Sequence, residues 1–178
     1  RIAGWSTATL VVQDGVVLWA DGEGGNRIGG PLKKTEFGRI RSIPQKLRAF
    51  AVEDGRLLWN CDSGTTCFSP NDILVADNLV WDGPDFTEGR DLRTGQVMLK
   101  NRTIYDLCTA GHHHRCYRNK ATERYILTGK RGTEFIGLST EDHSRENWIR
   151  GACQYGVMPA NGLLYGPPHA CGCYMTSK

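Results

Sequence analysis

The sequence predicts an all-β fold built from four-stranded antiparallel units, of the kind that form the blades of a β-propeller. Short strand-like runs follow tight-turn dipeptides, two such patterns recur at regular intervals, and no stretch of helical length has convincing helical periodicity. We therefore expect a partial propeller of about four consecutive blades, the first and last incomplete, from a larger ring.

The first repeated element is a turn dipeptide followed by a short apolar run. Its copies are Asp14-Gly15 before Val16–Trp19, Asp77-Asn78 before Leu79–Trp81, and Asn161-Gly162 before Leu163–Tyr165. The second and third copies are 84 residues apart (161 − 77), or two steps of 42. The expected middle copy lies at Glu123–Thr128, where the chain again has a strand-like run.

The second repeated element is a hairpin whose turn ends in glycine. Its copies are Ala49–Trp59, with the turn Asp54-Gly55, and Arg90–Leu99, with the turn Thr94-Gly95. The two glycines are 40 positions apart (95 − 55), and glycine suits the positive φ that such turns require. A looser third copy runs from Phe135–Leu138 through an enlarged turn to Asn147–Ile149.

Both hairpins resemble the Ala-x-Asp-x-x-Thr-Gly-x-x-x-Trp repeat of pyrroloquinoline-quinone-type propellers, found in quinoprotein alcohol dehydrogenases and in an outer-membrane assembly lipoprotein. The matching residues are Ala49, Gly55 and Trp59 in the first hairpin, and Asp91, Thr94 and Gly95 in the second. The chain departs from the repeat at Ala51, Asp54 and Leu99. The resemblance implies the fold more strongly than it implies the cofactor, pyrroloquinoline quinone.

The tail segment from Asn147 through Cys173 resembles large secreted repeat proteins of planctomycete-type bacteria. That resemblance implies an extracytoplasmic location, periplasmic or secreted. In propellers of this type a tryptophan packs between neighbouring blades, and we expect this role for Trp19, Trp59, Trp81 and Trp148.

We interpret residues 1–178 as one propeller segment of a longer protein, with a loop insertion at about residues 22–44. The 22 basic and 19 acidic residues are mixed along the chain, so no nucleic-acid partner is predicted. No apolar run is long enough for a transmembrane segment. The expected partner is the remainder of its own propeller; a small-molecule or protein partner is not specified by the sequence.

Cysteine and histidine form the sharpest candidate site. Thiolate and imidazole suit zinc, copper or iron, and loops one repeat apart can converge between adjacent blades. The candidate metal ligands are Cys108, His112, His114, Cys116, Cys153, His169, Cys171 and Cys173. The alternative is disulfides with surface histidines, since seven cysteines also fit an oxidising compartment. Cys61 and Cys67 flank a polar turn, and there a disulfide is the favoured interpretation.

Two functions follow from these observations. The first is an oxidoreductase-like propeller with a transition metal or pyrroloquinoline quinone at the Cys/His loops. The second is a non-catalytic binding or scaffold module with structural disulfides. Glu134, Glu141 and Asp142 are in no recognisable motif, and we expect them to be surface charges.

Overall fold

The computed structural model describes residues 5–23, 45–63, 72–83, 86–101, 117–129, 132–139, 142–146, 149, 151–152 and 155–168. In these residues the chain is all-β, as predicted, and consists of antiparallel sheets. None of the described residues forms a helix long and apolar enough to cross a membrane.

Three sheets have four strands each, and every strand pairs with its neighbours in sequence. Sheet 1 contains β1 (Trp5–Gln13), β2 (Val16–Glu23), β3 (Gln45–Ala51) and β4 (Leu57–Ser63). Sheet 2 contains β5 (Ile73–Ala76), β6 (Leu79–Asp82), β7 (Glu88–Asp91) and β8 (Val97–Lys100). Sheet 3 contains β9 (Lys120–Ala121), β10 (Tyr125–Thr128), β11 (Thr133–Gly137) and β12 (His143–Glu146). The terminal hairpin contains β13 (Met158–Ala160) and β14 (Leu163–Tyr165).

The predicted turns are confirmed. Asp14 and Gly15 have φ angles of 45° and 75°, and Asn161 and Gly162 have 51° and 74°. Two consecutive positive φ angles match the right-handed twist of the flanking strands, which explains the Asp, Asn and Gly at these positions. The predicted middle copy is also confirmed, because β10 begins at Tyr125.

The hairpins at Gly55 and Gly95 have the same geometry. The amide of Gly55 donates to the carbonyl of Ala51, and that of Gly95 to Asp91, both at 2.9 Å. Their φ angles are 70° and 72°, in the left-handed region that favours glycine. The 40-residue sequence repeat is therefore a repeat of backbone structure.

One further hydrogen bond recurs and defines equivalent positions in the three sheets. It runs from an amide just after the third strand to a carbonyl in the turn between the first two strands. The donor and acceptor pairs are Val52 to Gly15 (2.9 Å), Leu92 to Asn78 (3.1 Å), and Leu138 to Arg124 (3.0 Å).

Successive sheets pack through two apolar clusters. Between sheets 1 and 2, buried residues include Leu18, Leu47 and Trp59 on one side and Val80 on the other. Between sheets 2 and 3, Trp81 and Phe86 meet the buried Ile126. The first strands also contact one another, β1 with β5 and β5 with β9. The sheets thus follow one another in series, with the first strand of each on a common side, and the described sheets do not close into a ring.

Trp59 has the packing role expected for a tryptophan between sheets. Its indole Nε1 donates to the carbonyl of Leu92 in sheet 2 at 2.9 Å, and its ring lies over Gly95. Trp81 is fully buried between sheets 2 and 3. Trp19 is on the other face of sheet 1, beside Phe50 and under the guanidinium of Arg48. Trp148 lies outside the described residues.

Three sequence-based expectations need correction. The fourth strand of sheet 3 is His143–Glu146 and not Asn147–Ile149, because the amide of Gly137 donates to Nδ1 of His143 and pairing resumes directly after a shorter turn. Sheet 1 is complete, with four strands. Residues 22–23 of the expected insertion belong to β2, and residues 24–44 lie outside the described residues.

Candidate functional site

The predicted metal ligands all lie outside the described residues: Cys108, His112, His114, Cys116, Cys153, His169, Cys171 and Cys173. What the structure shows is how the flanking strands run. In a four-stranded antiparallel sheet with neighbouring strands joined in order, the chain enters the first strand and leaves the fourth at the same end. The strands that flank these segments therefore end on the side away from the turns at Asn78 and Gly162. Among the described residues, no three His, Cys, Asp or Glu side chains form a group that could hold a metal.

Cys61 carries a free thiol in the structure. Cys67, its predicted disulfide partner, is outside the described residues. Burial and, to a smaller extent, the negative charge of Asp82 together raise the pKa of the Cys61 thiol to about 11. Arg90 acts in the opposite direction. This thiol is protonated at neutral pH, which makes it a poor nucleophile and a poor metal ligand.

Asp82 lies at the end of β6, between sheets 1 and 2. Burial raises the pKa of its carboxyl group, and a hydrogen bond with the side chain of Ser63, at the end of β4, partly opposes that effect. Arg90, which is paired with Glu88 on the same strand, also favours the charged form of Asp82. A thiol, a carboxyl group and an ion pair thus share the interface between two sheets.

A second polar cluster joins the first strands of the three sheets. Asp72, just before β5, is 3% exposed and accepts hydrogen bonds at Oδ2 from the backbone amide of Asn119 (2.6 Å) and from its Nδ2 (2.8 Å). Oδ1 of Asp72 accepts from Arg118 at 3.1 Å, and the same guanidinium nitrogen donates to Oγ1 of Thr9 in β1 at 2.7 Å. The carboxylate is well satisfied by these donors, so the cluster holds the sheets together.

Glu134 is not the surface charge that the sequence suggested, because it is only 1% exposed. Its Oε2 accepts from the hydroxyl of Thr128 at 3.0 Å, and its Oε1 from the amide of Gly132 at 3.4 Å. Local donors satisfy this carboxyl group where β10 ends and β11 begins. Asp142 is exposed, as expected, and accepts from the hydroxyl of Tyr125; Glu141 is outside the described residues.

A groove separates sheet 3 from the terminal hairpin. Its volume is about 710 Å3, and it is lined by Thr122, Glu123, Arg124, Tyr125, Phe135 and residues Pro159 to Leu164. We call it the hairpin groove. The rings of Tyr125 and Phe135 meet edge to face, with centroids 6.0 Å apart, and the guanidinium of Arg124 is 5.4 Å from the Tyr125 ring. The volume of this concavity falls within the range of small-ligand sites, and polar groups lie at its rim.

Sequence reasoning did not find this groove or the Asp72 cluster. Asp72 comes at the end of a polar stretch, where turn residues are the ordinary interpretation. Tyr125 and Phe135 are simply alternating residues of strands, and only the packing of sheet 3 against the hairpin brings them opposite Pro159 and Leu164. No local signal in the sequence distinguishes these residues.

Comparison with known proteins supports the fold and leaves the activity open. No family model matches the chain, and no curated protein matches its sequence. Ten chains of solved structures match, among them the crystal structure of the computationally designed Ika4 protein. That chain is 13% identical, with a TM-score of 0.51, and the match covers 89% of this chain and 82% of the other. At this identity the likeness concerns the fold alone.

Proposed function

We propose that the chain is a segment of a β-propeller of the pyrroloquinoline-quinone-repeat type. The contact between Trp59 and Gly95 supports this, because these residues occupy the tryptophan and glycine positions of the repeat in successive sheets. The adjacency of β1, β5 and β9 also supports it, since a propeller places one edge strand of every blade near a common axis. An extracytoplasmic location stays a prediction from the resemblance.

Within this architecture we propose a non-catalytic binding module, with the hairpin groove as its ligand site. The carrying observation is the groove itself, which has one aromatic wall and is open to solvent. By contrast, the buried carboxylates Asp72 and Glu134 are engaged with neighbouring donors, as structural groups are. In the groove, the described side chains line an open space that a ligand could fill.

The lining indicates what the groove would bind. Tyr125 and Phe135 form one wall, and Pro159 and Leu164, which face each other across β13 and β14, form the other. A flat apolar or aromatic group fits between them. Glu123, Arg124 and Asn161 supply charge and hydrogen bonding at the rim, and these would orient such a ligand.

Saturation-transfer NMR with N-acetyltryptophanamide as the probe tests this proposal. We expect transfer to the indole protons, and a Leu164→Glu variant should lose it because the charge enters the apolar wall. The matched control is Met158→Glu, since Met158 is 54% exposed on the same hairpin and does not line the groove. No transfer in the original chain, or equal transfer in the two variants, would contradict the proposal.

The oxidoreductase-like site is the second candidate. One observation favours it: the strands that flank the Cys/His segments end on one side of the sheets. Elemental analysis with a count of reactive thiols separates the possibilities. Bound metal with reduced thiols supports a transition-metal site, whereas full oxidation without metal supports disulfides and the binding module. A quinone site would be tested by adding pyrroloquinoline quinone and following its absorption.

A further inference from the structure

Sheets 2 and 3 each bury one face against the sheet before them. In sheet 2 this face includes Ile73, Val80 and Leu92, which are 5%, 0% and 4% exposed because they pack against sheet 1. The repeated hydrogen bonds show that Asn78 in sheet 2 and Gly15 in sheet 1 are at equivalent positions. Ile73 is five residues before Asn78, and Val80 is two residues after it. The equivalent residues of sheet 1 can be found in the same way from Gly15.

Sheet 1 has the same apolar face, and there it is exposed. Leu10 is five residues before Gly15, Val17 is two after it, and Val52 makes the hydrogen bond that Leu92 makes in sheet 2. With Val12, which pairs with Val17 across β1 and β2, these residues form the leading face. Leu10, Val12 and Val52 are 58%, 59% and 51% exposed.

The other end of the series exposes the complementary surface. Leu163 and Tyr165 are one and three residues after Gly162, as Val16 and Leu18 are after Gly15. Val16 and Leu18 are fully buried between sheets 1 and 2, whereas Leu163 and Tyr165 are 61% and 50% exposed. Together with Met158, they form the trailing face of the terminal hairpin.

We propose that the leading face of one copy of this chain docks on the trailing face of a second copy. The occupant is a second copy because the leading face matches one side of the interface that the chain forms internally between successive sheets, and the trailing face matches the part of the other side that the first two strands supply. Contiguous apolar surface of this kind marks an association site. The two faces differ, so the contact is head to tail, and it extends to rings or longer assemblies. This inference does not depend on the hairpin groove or on any bound ligand.

Two variants test the pairing of the faces. Val12→Glu places a charge on the leading face and Tyr165→Glu places one on the trailing face, both at exposed positions that the fold tolerates. In sedimentation velocity the original 178-residue chain should form dimers and larger species with rising concentration, and each variant alone should be monomeric. Mixed in equal amounts, the variants should form a dimer and nothing larger, because each retains one intact face.

The control and the contrary outcomes are equally specific. Met98→Glu changes an exposed side chain outside both faces and should leave the association of the original chain unchanged. Circular dichroism verifies that each variant is folded. A monomeric original chain at all concentrations would overturn the proposal, as would association by either variant alone, since that would show a symmetric contact between identical faces.

Discussion

Replacing Gly95 by alanine should destabilise the protein much more than the same change at Gly55. The two glycines have nearly the same backbone conformation, with φ of 72° and 70°, so both substitutions cost about 1 kcal/mol for a left-handed alanine. Their surroundings differ. A Cβ at Gly55 meets nothing within 4 Å, whereas one at Gly95 would be 2.6 Å from Cγ and Cδ2 of Trp59.

The difference between the two variants comes from Trp59. Its ring must move away from the new methyl group, which weakens the hydrogen bond from Nε1 to the carbonyl of Leu92, worth about 1 kcal/mol. The ring is 8% exposed, and removing such a side chain altogether costs about 3–5 kcal/mol. A partial displacement should cost a fraction of that. We therefore expect about 1 kcal/mol for Gly55→Ala and about 3 kcal/mol for Gly95→Ala.

Urea denaturation followed by circular dichroism measures both losses, and m-values unchanged from the original chain would show that the unfolding reactions are comparable. A second measurement isolates the contact. In a Trp59→Leu background, Gly95→Ala should cost only about as much as Gly55→Ala, because the ring it would displace is gone. Equal losses for the two glycines in the original background would refute the interpretation of Trp59 as the residue that holds sheet 2 against sheet 1.

Three further predictions follow from the polar contacts. In urea denaturation, Asp91→Ala should lower the free energy of unfolding by about 1 kcal/mol, and Asp54→Ala should lower it by less. The reason is that Asp91 accepts hydrogen bonds from two backbone amides and one hydroxyl, whereas Asp54 accepts from one amide. A larger loss for Asp54→Ala would contradict this. Because the folded pKa of Asp82 is raised, its contribution is most favourable at low pH and is lost as pH rises above 3.8 through the folded pKa. Asp82→Asn should remove this pH dependence of the free energy of unfolding. If the variant and the original chain lose stability equally as the pH rises, the prediction is wrong. Because the pKa of Cys61 is about 11, its rate of reaction with iodoacetamide should keep rising with pH up to that value. Mass spectrometry of the peptide that contains Cys61 measures this rate. A rate that levels off near pH 8 would show that burial does not raise the pKa of this thiol.

The sequence was sufficient for the strands and turns because their signals are local. Asp14-Gly15, Thr94-Gly95 and Asn161-Gly162 each require a backbone conformation that few residues adopt, and these positions are correctly predicted. The strand after the turn at Gly137 was misplaced because a histidine side chain closes that turn, and no turn dipeptide marks it. Periodicity therefore predicts how many strands form more reliably than where each begins.

The candidate site was less accessible to sequence reasoning because it depends on contacts between sheets. Asp72 and Asn119 are 47 residues apart, and Tyr125 and Leu164 are 39 apart (164 − 125). Glu134 was taken for a surface residue because an isolated glutamate gives no sign that Thr128 and Gly132 will enclose it. The cysteine and histidine predictions fall outside the described residues and stay predictions.

The order of the strands has a consequence for how the molecule folds. Each sheet is made of consecutive strands, so its hydrogen bonds form between neighbours in sequence, and none of the described strands is shared between sheets. Such hairpins form early and independently, and cooperativity between sheets has to come from side chains such as Trp59 and Asp72. Weakening one of these contacts should separate the amide hydrogen exchange of sheet 1 from that of sheet 3, so that one unfolding event becomes two.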